Sequence, residues 1–323
     1  MKHLTLRQLT LALAMAPLLA FSQTAPWPSK PIKAVVPFAA GAATDIVARA
    51  VLEQVSKQLG QPIIIENKPG AGGTIGIGHV AHSEPDGYTI LVQSNSYAVI
   101  SSTYKNLNFD VSKDMVGVTP LVSVPMVLVA SPSKGPRTLQ DFAKMAKAKP
   151  GSINYASAGT GGATHLGAER LNTAAGIKGV HVPYKSSGEA LTEVLAGRVD
   201  YYFSPIGLAS QYLKTDRLVA LAVSSKTRSS ALPDVPTSIE AGLPNSDYEV
   251  WIGMFAPAKT PRAIINRLNE ETVKALRSPE LREKFNTLVM DPMPMSPADF
   301  DTFIKKEIQL NAELVKAAGI EPS

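Results

Sequence analysis

The sequence predicts two α/β lobes, and three observations carry that expectation. Short apolar strands alternate with helical periods from Pro31 onward, the pattern of sheets covered by helices. About 300 residues remain once an N-terminal leader is set aside, too many for one small core and suited to two. A unit of strand, small-residue loop and helix occurs twice: Gly41-Ala42-Ala43-Thr44-Asp45-Ile46-Val47-Ala48 resembles Gly161-Gly162-Ala163-Thr164-His165-Leu166-Gly167-Ala168.

The leader is residues 1–25. Lys2 and Arg7 make a positive start, residues 9–19 form a short apolar run broken by Pro17, and Ala20-Phe21-Ser22 precede Gln23 as a cleavage site. That is the layout of a secretory signal, and the run is too short to span a bilayer. Its removal lowers the formal net charge from +5 to +3. The remaining basic residues are scattered, which argues against a nucleic-acid partner. With no cysteine, disulfides, thiolate zinc sites and a cysteine nucleophile are excluded.

The first series starts with a strand at 32–36 and a loop at 37–43. A helix then carries Val47, Val51, Val55 and Leu59 on one face and stops at Gly60. Strands follow at 62–65, at 88–92 after the turn Pro85-Asp86-Gly87, and as one longer strand at 122–129. A second series has strands at 153–156, 180–182, 199–203 and 218–223, with helices at 163–175 and 189–196. A strand at 250–255 and helices at 263–276 and 297–317 end the chain, the last with Phe300, Ile304, Ile308 and Val315 at helical spacing. The periods predict parallel sheets. The expected lobes are residues 26–127 with 247–323, and residues 128–246, with hinges near Val129 and Tyr248.

The two repeated loops are the candidate site. A helix start leaves backbone N–H groups without partners, small side chains allow a ligand to approach them, and the helix dipole favours negative charge. Phe38, Ala39, Ala40, Gly41, Ala42, Ala43, Thr44 and Asp45 form one such loop. Ser157, Ala158, Gly159, Thr160, Gly161, Thr164 and His165 belong to the other. Facing each other, they would offer two sets of amide donors to one small anion. Asp45 reads more readily as a helix-start carboxylate than as a ligand contact. A neutral His165 can donate one hydrogen bond.

Other motifs are weaker. His79 and His82 lie three apart on an expected helix, but no carboxylate or third histidine completes a metal site. Gly76-Ile77-Gly78-His79-Val80-Ala81 fits a dinucleotide fingerprint, yet follows a turn instead of a strand and reads as a loop packing beside the cleft. Tyr155-Ala156-Ser157-Ala158-Gly159 lies between strand and helix like a hydrolase nucleophile elbow, with Tyr155 in place of the first glycine. His181 is the last histidine, so the Ser, acid, His order would require Glu169 as the acid. No cofactor, metal or catalytic residue is expected.

Taken together, these residues resemble the Bug-type (TctC-like) receptors of tripartite tricarboxylate transporters, over about residues 27–320. The resemblance rests on Trp27-Pro28, Val35-Val36-Pro37-Phe38 with Gly41 and Thr44-Asp45, Glu66-Asn67-Lys68-Pro69-Gly70-Ala71-Gly72-Gly73, and Pro85-Asp86-Gly87-Tyr88-Thr89. Tyr155-Ala156-Ser157-Ala158-Gly159, His181-Val182-Pro183-Tyr184-Lys185, Pro233-Asp234-Val235-Pro236-Thr237 and Trp251 with Gly253 extend it. It implies a two-lobed periplasmic-binding-protein fold, type II-like, with the ligand cleft between the lobes. It also implies a periplasmic, monomeric, non-enzymatic protein that hands a small carboxylate to membrane transporter subunits. Tyr184 and Ser204 are counted among the expected contacts. The carboxylate could be a di- or tricarboxylate, an acidic amino acid or an aromatic acid; a ligand sensor feeding a signalling partner is the alternative, and after it an α/β hydrolase using Ser157. Two positions depart from the family pattern. Ala42 stands where a second glycine is usual and would be strained at positive φ; Ser186 stands where glycine usually follows Tyr-Lys.

Overall fold

The computed structural model describes residues 27–322. The expected export signal therefore lies outside the described residues. The elements are β1 (Ile32–Val36), α1 (Ala43–Leu59), β2 (Ile63–Asn67), α2 (Thr74–Ala81), β3 (Thr89–Ser94), α3 (Ile100–Thr103) and β4 (Met115–Val124). They continue with β5 (Met126–Ala130), α4 (Leu139–Ala148), β6 (Asn154–Ser157), α5 (Ala163–Ala175), β7 (Val180–Pro183), α6 (Ser187–Leu195), β8 (Tyr201–Pro205), α7 (Ile206–Leu213) and β9 (Val219–Val223). The chain ends in β10 (Val250–Pro257), α8 (Arg262–Leu276), α9 (Pro279–Leu288), β11 (Asp291–Pro292) and α10 (Pro297–Ala317).

Two sheets result, ordered β11-β4-β10-β3-β1-β2 and β7-β6-β8-β5-β9. Both are mixed, not parallel as the periods suggest. β10 runs antiparallel to β3 and β4, and β5 antiparallel to β8 and β9. These are the two strands that arrive from the other sheet. The parallel strands end toward the side where the sheets meet, so a strand entering from there must run away from it. The single strand expected at 122–129 is likewise two strands. β4 belongs to the first sheet and β5 to the second, parted at Pro125, which has no N–H to continue a ladder.

Side chains alternate between the faces of each sheet. In β1, Ile32, Ala34 and Val36 pack with Val47, Val51 and Val55 of α1 and Leu268 of α8, while Val35 faces Ile77 of α2 and Phe300 of α10. In the second sheet Tyr155, Tyr201 and Phe203 pack with Phe142 of α4 and Leu166 of α5; Ala156 and Tyr202 face Leu191 and Val194 of α6. The last helix packs on the first sheet through Phe300 and Ile304, with Ile308 partly buried. It also does what its spacing does not announce: Leu314 and Val315 enter the core of the second sheet. Beside it, the Tyr248 hydroxyl accepts from Asn95 Nδ2 (3.2 Å) and donates to Asn311 Oδ1 (3.2 Å), both buried.

The glycine-rich run at 69–78 is more regular than a loop. Gly70, Gly72 and Gly73 take positive φ around a 3₁₀ turn at Ala71–Gly73, and α2 begins at Thr74. An alanine Cβ at Gly76 would lie 2.6 Å from Pro37 Cβ, so that glycine lets α2 close on the end of β1.

Candidate functional site

The two repeated loops share one geometry. α1 starts after Ala42 and α5 after Gly162, both extended (φ −66° and −77°) and neither supplying a side-chain cap. By contrast, Thr138, Ser186, Ser278 and Ser296 cap α4, α6, α9 and α10 through their hydroxyls. In each loop the glycine before the cap is left-handed, Gly41 at φ +84° and Gly161 at +75°; in the second loop Gly159 also takes a positive φ, +128°. Ala42 is thus unstrained, and the positive φ that would have troubled an alanine falls one residue earlier. Ser186 is accounted for as the cap that accepts from Glu189 N at 3.2 Å.

Each left-handed glycine donates its N–H to the side chain four residues later. Gly41 N bonds Asp45 Oδ2 at 2.8 Å, and Gly161 N bonds His165 Nδ1 at 3.0 Å. Asp45 also accepts from Arg49 Nε (2.9 Å) and Asn67 Nδ2 (2.9 Å), and that amide reaches the Phe38 carbonyl at 3.0 Å. Burial would raise the Asp45 carboxyl, but the bonds from Arg49, Gly41 and Asn67 outweigh it and hold its pKa at about 2. Asp45 is 2 % exposed, so it builds the loop and presents little to a solute.

In the second loop, burial and then the neighbouring His181 ring push His165 down to about 3. It is neutral, its Nδ1 accepts, and its proton sits on Nε2. Ala158 N donates to Thr164 Oγ1 (2.9 Å), Gly159 N to Ser157 Oγ (3.1 Å), and Ser157 Oγ shares a 2.6 Å hydrogen bond with His181 Nε2. Beneath them, the Tyr155 hydroxyl donates to Glu169 Oε1, and the Tyr201 hydroxyl to Asn172 Oδ1 at 2.6 Å.

What remains unbonded is the helix starts. Among the described residues, the N–H groups of Ala43 and Thr44, and of Ala163 and Thr164, have no partner within the chain. Between the lobes lies a cleft of about 390 Å³, lined from the first sheet's side by Phe38, Gly72, Ser96, Val99, Ile100, Thr103 and Tyr104. Thr160, Gly161 and Gly162 line it from the second, and Ile320 and Glu321 from the C-terminal segment. A larger groove of about 680 Å³ runs beside His79 and His82. It touches one sheet's side and neither helix start, and His82 Nδ1 is taken by the Gly78 carbonyl at 2.7 Å. The inter-lobe cleft is therefore the better candidate.

Of the expected residues, Phe38, Thr160 and Gly161 line this cleft. Ala39, Ala40, Gly41 and Ala43 are exposed in the loop, and Ala42 is half-buried. Ser157, Thr44, Thr164 and His165 lie buried beneath the loops. Tyr184 donates its N–H to the Ser157 carbonyl at 2.9 Å, and Ser204 is fully buried with its hydroxyl on the Pro205 carbonyl at 3.1 Å. Gly72, Ser96, Thr103 and Tyr104 are lining residues that the sequence does not announce. The glycine run is the signal that could have pointed to Gly72.

The Ser157–His181 contact brings together two members of a hydrolytic triad. However, Ser157 is 0 % exposed, and among the described residues no carboxylate hydrogen-bonds His181. Glu169, the acid that chain order would require, bonds Tyr155 and Asn172 instead.

Two α/β lobes, each contributing to a shared cleft a loop that feeds an uncapped helix start, define a protein of the two-lobed solute-binding class. Residues 47–320 match the model of the tripartite tricarboxylate transporter family receptor, TctC, and the chain belongs to that family. It is 35% identical to protein BugT of Bordetella pertussis over 91% of this chain and 90% of that protein. Among solved structures, R. palustris Rpa4515 with adipate superposes with a TM-score of 0.77 at 29% identity, covering 92% of this chain and 100% of that one. MatC (Rpa3494) from Rhodopseudomonas palustris with bound malate gives 0.73 at 33% identity, covering 89% and 99%. Family and fold point to a binding protein and not to an enzyme.

Proposed function

We propose that this protein is exported, closes its lobes around a small carboxylate, and delivers it as a monomer to the membrane subunits of a tripartite tricarboxylate transporter. The observation that carries the reading is that the two loops feeding these helix starts line one cleft, through Phe38 on one side and Thr160, Gly161 and Gly162 on the other, with unbonded amides just beyond at Ala43 and Thr44 and at Ala163 and Thr164. Amides and helix dipoles favour a carboxylate without a formal cation. Closure would turn on Pro125, where the chain passes between sheets, and on the return through Tyr248. These crossings would divide the lobes a little before residue 127 and a little after residue 246.

A thermal-shift screen of the leaderless protein against carboxylic acids tests the reading. Ligand at about 100 times its dissociation constant stabilises the native state by about 2.7 kcal/mol, a readable shift. Binding of neutral sugars or cations with no response to any acid would remove the carboxylate reading. An intact Met1 in a cytosolic fraction would remove the export premise.

A further inference from the structure

We infer that Glu321 makes this cleft selective for a carboxylate whose far end is neutral or cationic, over one bearing a second negative charge. The inference rests on the carboxylate reading above. Among the residues lining the cleft there is no lysine, arginine or histidine, and the only acidic residue is Glu321. Much of the remaining wall is apolar: Phe38, Val99, Ile100 and Ile320, with the Tyr104 ring.

The position of Glu321 is set by the end of α10. Gly319 takes φ +63°, its N–H bonds the Lys316 carbonyl at 3.2 Å, and the Ile320 N–H returns to the Val315 carbonyl at 3.1 Å. This is a Schellman-type stop, and Ile320 packs against the core of the second sheet beside it. The turn therefore directs the next residue, Glu321, to the cleft, where Thr160, Gly161 and Gly162 form the opposite lining. A ligand held by the amides of both helix starts would present its other end to this carboxylate. A hydroxyl, amide or ammonium there finds an acceptor; a second carboxylate finds a like charge and no counter-cation. Glu321 is exposed, so solvent screens the effect to about three- to tenfold in affinity.

Calorimetry with two matched pairs tests this: adipate against its mono-amide, adipamate, and terephthalate against benzoate. The wild-type chain should prefer the monoanion of each pair. Glu321→Gln and Glu321→Ala, the latter adding no new donor, should raise dianion affinity about three- to tenfold and leave benzoate unchanged, while adipamate keeps its affinity in Glu321→Gln, whose amide oxygen still accepts, and weakens in Glu321→Ala. In 1 M salt, where the screening length falls to about 3 Å, the wild-type preference should fade. Equal affinity within the pairs, unchanged by either substitution, overturns the role of Glu321 and leaves the carboxylate reading standing. Binding of no acid to any of the three proteins overturns the carboxylate reading, and this inference with it.

Discussion

His165 and His181 lie face to face, with ring centroids 3.7 Å apart and planes 6° from parallel. Each secures a different part of the second loop, His165 by accepting from Gly161 and His181 by sharing a hydrogen bond with Ser157. Tyr155 extends the stack at 5.1 Å from His181. Two imidazoles in this contact can both be neutral, but a charge on either would be poorly solvated and would oppose charging of the other.

The stack makes stability depend on pH in a stated direction. Burial lowers both histidines, and His165 to about 3 from 6.5. Between those values the unfolded chain binds a proton that the folded chain does not. His165 therefore costs nothing above pH 6.5, and stability is lost as pH falls from there toward 3, by up to about 1.4 kcal/mol per pH unit. Urea unfolding of wild type and His165→Gln between pH 4 and 8 checks this. The variant, whose amide oxygen can still accept from Gly161, should show a shallower acid slope; an identical slope would contradict the assignment.

Glu307 acts in the opposite sense. Burial raises its carboxyl, the Trp251 Nε1–H bond (3.1 Å) lowers it, and Glu249 nearby raises it again, leaving a pKa of about 7. Asp247 adds repulsion and Lys226 a small opposing attraction. The folded state thus holds this proton longer than the unfolded one, and that contribution is lost as pH rises through 7. Trp251 emission should titrate with a midpoint near 7 in wild type and lose that transition in Glu307→Gln. A transition that survives the substitution must belong to another group.

Ala42→Asp should abolish carboxylate binding, by at least a hundredfold, while the protein stays folded. At φ −66° and ψ 157°, position 42 has the backbone of a helix cap, and an aspartate there accepts the N–H groups proposed for the solute. The losses of one or two charge-assisted bonds, about 1.5–3 kcal/mol each, reach that factor. Ala42→Ser is the uncharged control and should bind far better. Calorimetry with circular dichroism decides it; full affinity in folded Ala42→Asp would place the anion elsewhere.

Gly167→Ala should destabilise the second lobe although alanine is the better helix former. A Cβ there would lie 2.4 and 2.6 Å from ring atoms of Phe203, which is itself buried against Tyr248. Overpacking of this kind costs about 1–3 kcal/mol, against about 1 kcal/mol gained in helix propensity, so a net loss of up to about 2 kcal/mol is expected. Denaturant midpoints measure it, and a variant as stable as wild type would mean that the ring yields freely.

Helices with a strong period and clear punctuation are legible in the sequence: α1 with its Gly60 stop, α5, and α10 from Pro297 to Ala317. Others pass unmarked, among them α4, although Thr138 caps it and Leu139, Phe142, Ala143 and Ala146 have helical spacing. α7 and α9 are also missed. Only the end of α2, around His79, is legible; its start is obscured by glycines, which read as loop until packing against Pro37 and Phe109 shows what their small size permits.

The sequence alone determined the local chemistry: two small-residue loops feeding two helices, each with a polar side chain four residues after its glycine, and no cysteine anywhere. These follow from φ preferences, capping and periodicity, which depend on neighbours in the chain. Only the tertiary structure decided that the apolar run through Pro125 serves two sheets, that α10 enters both cores, and that Glu321 stands at the cleft. An apolar residue carries no record of which sheet it covers, and a carboxylate none of which cavity it faces. Those assignments depend on which residues far apart in the chain come together, as Phe38, Thr160 and Glu321 do around one cleft.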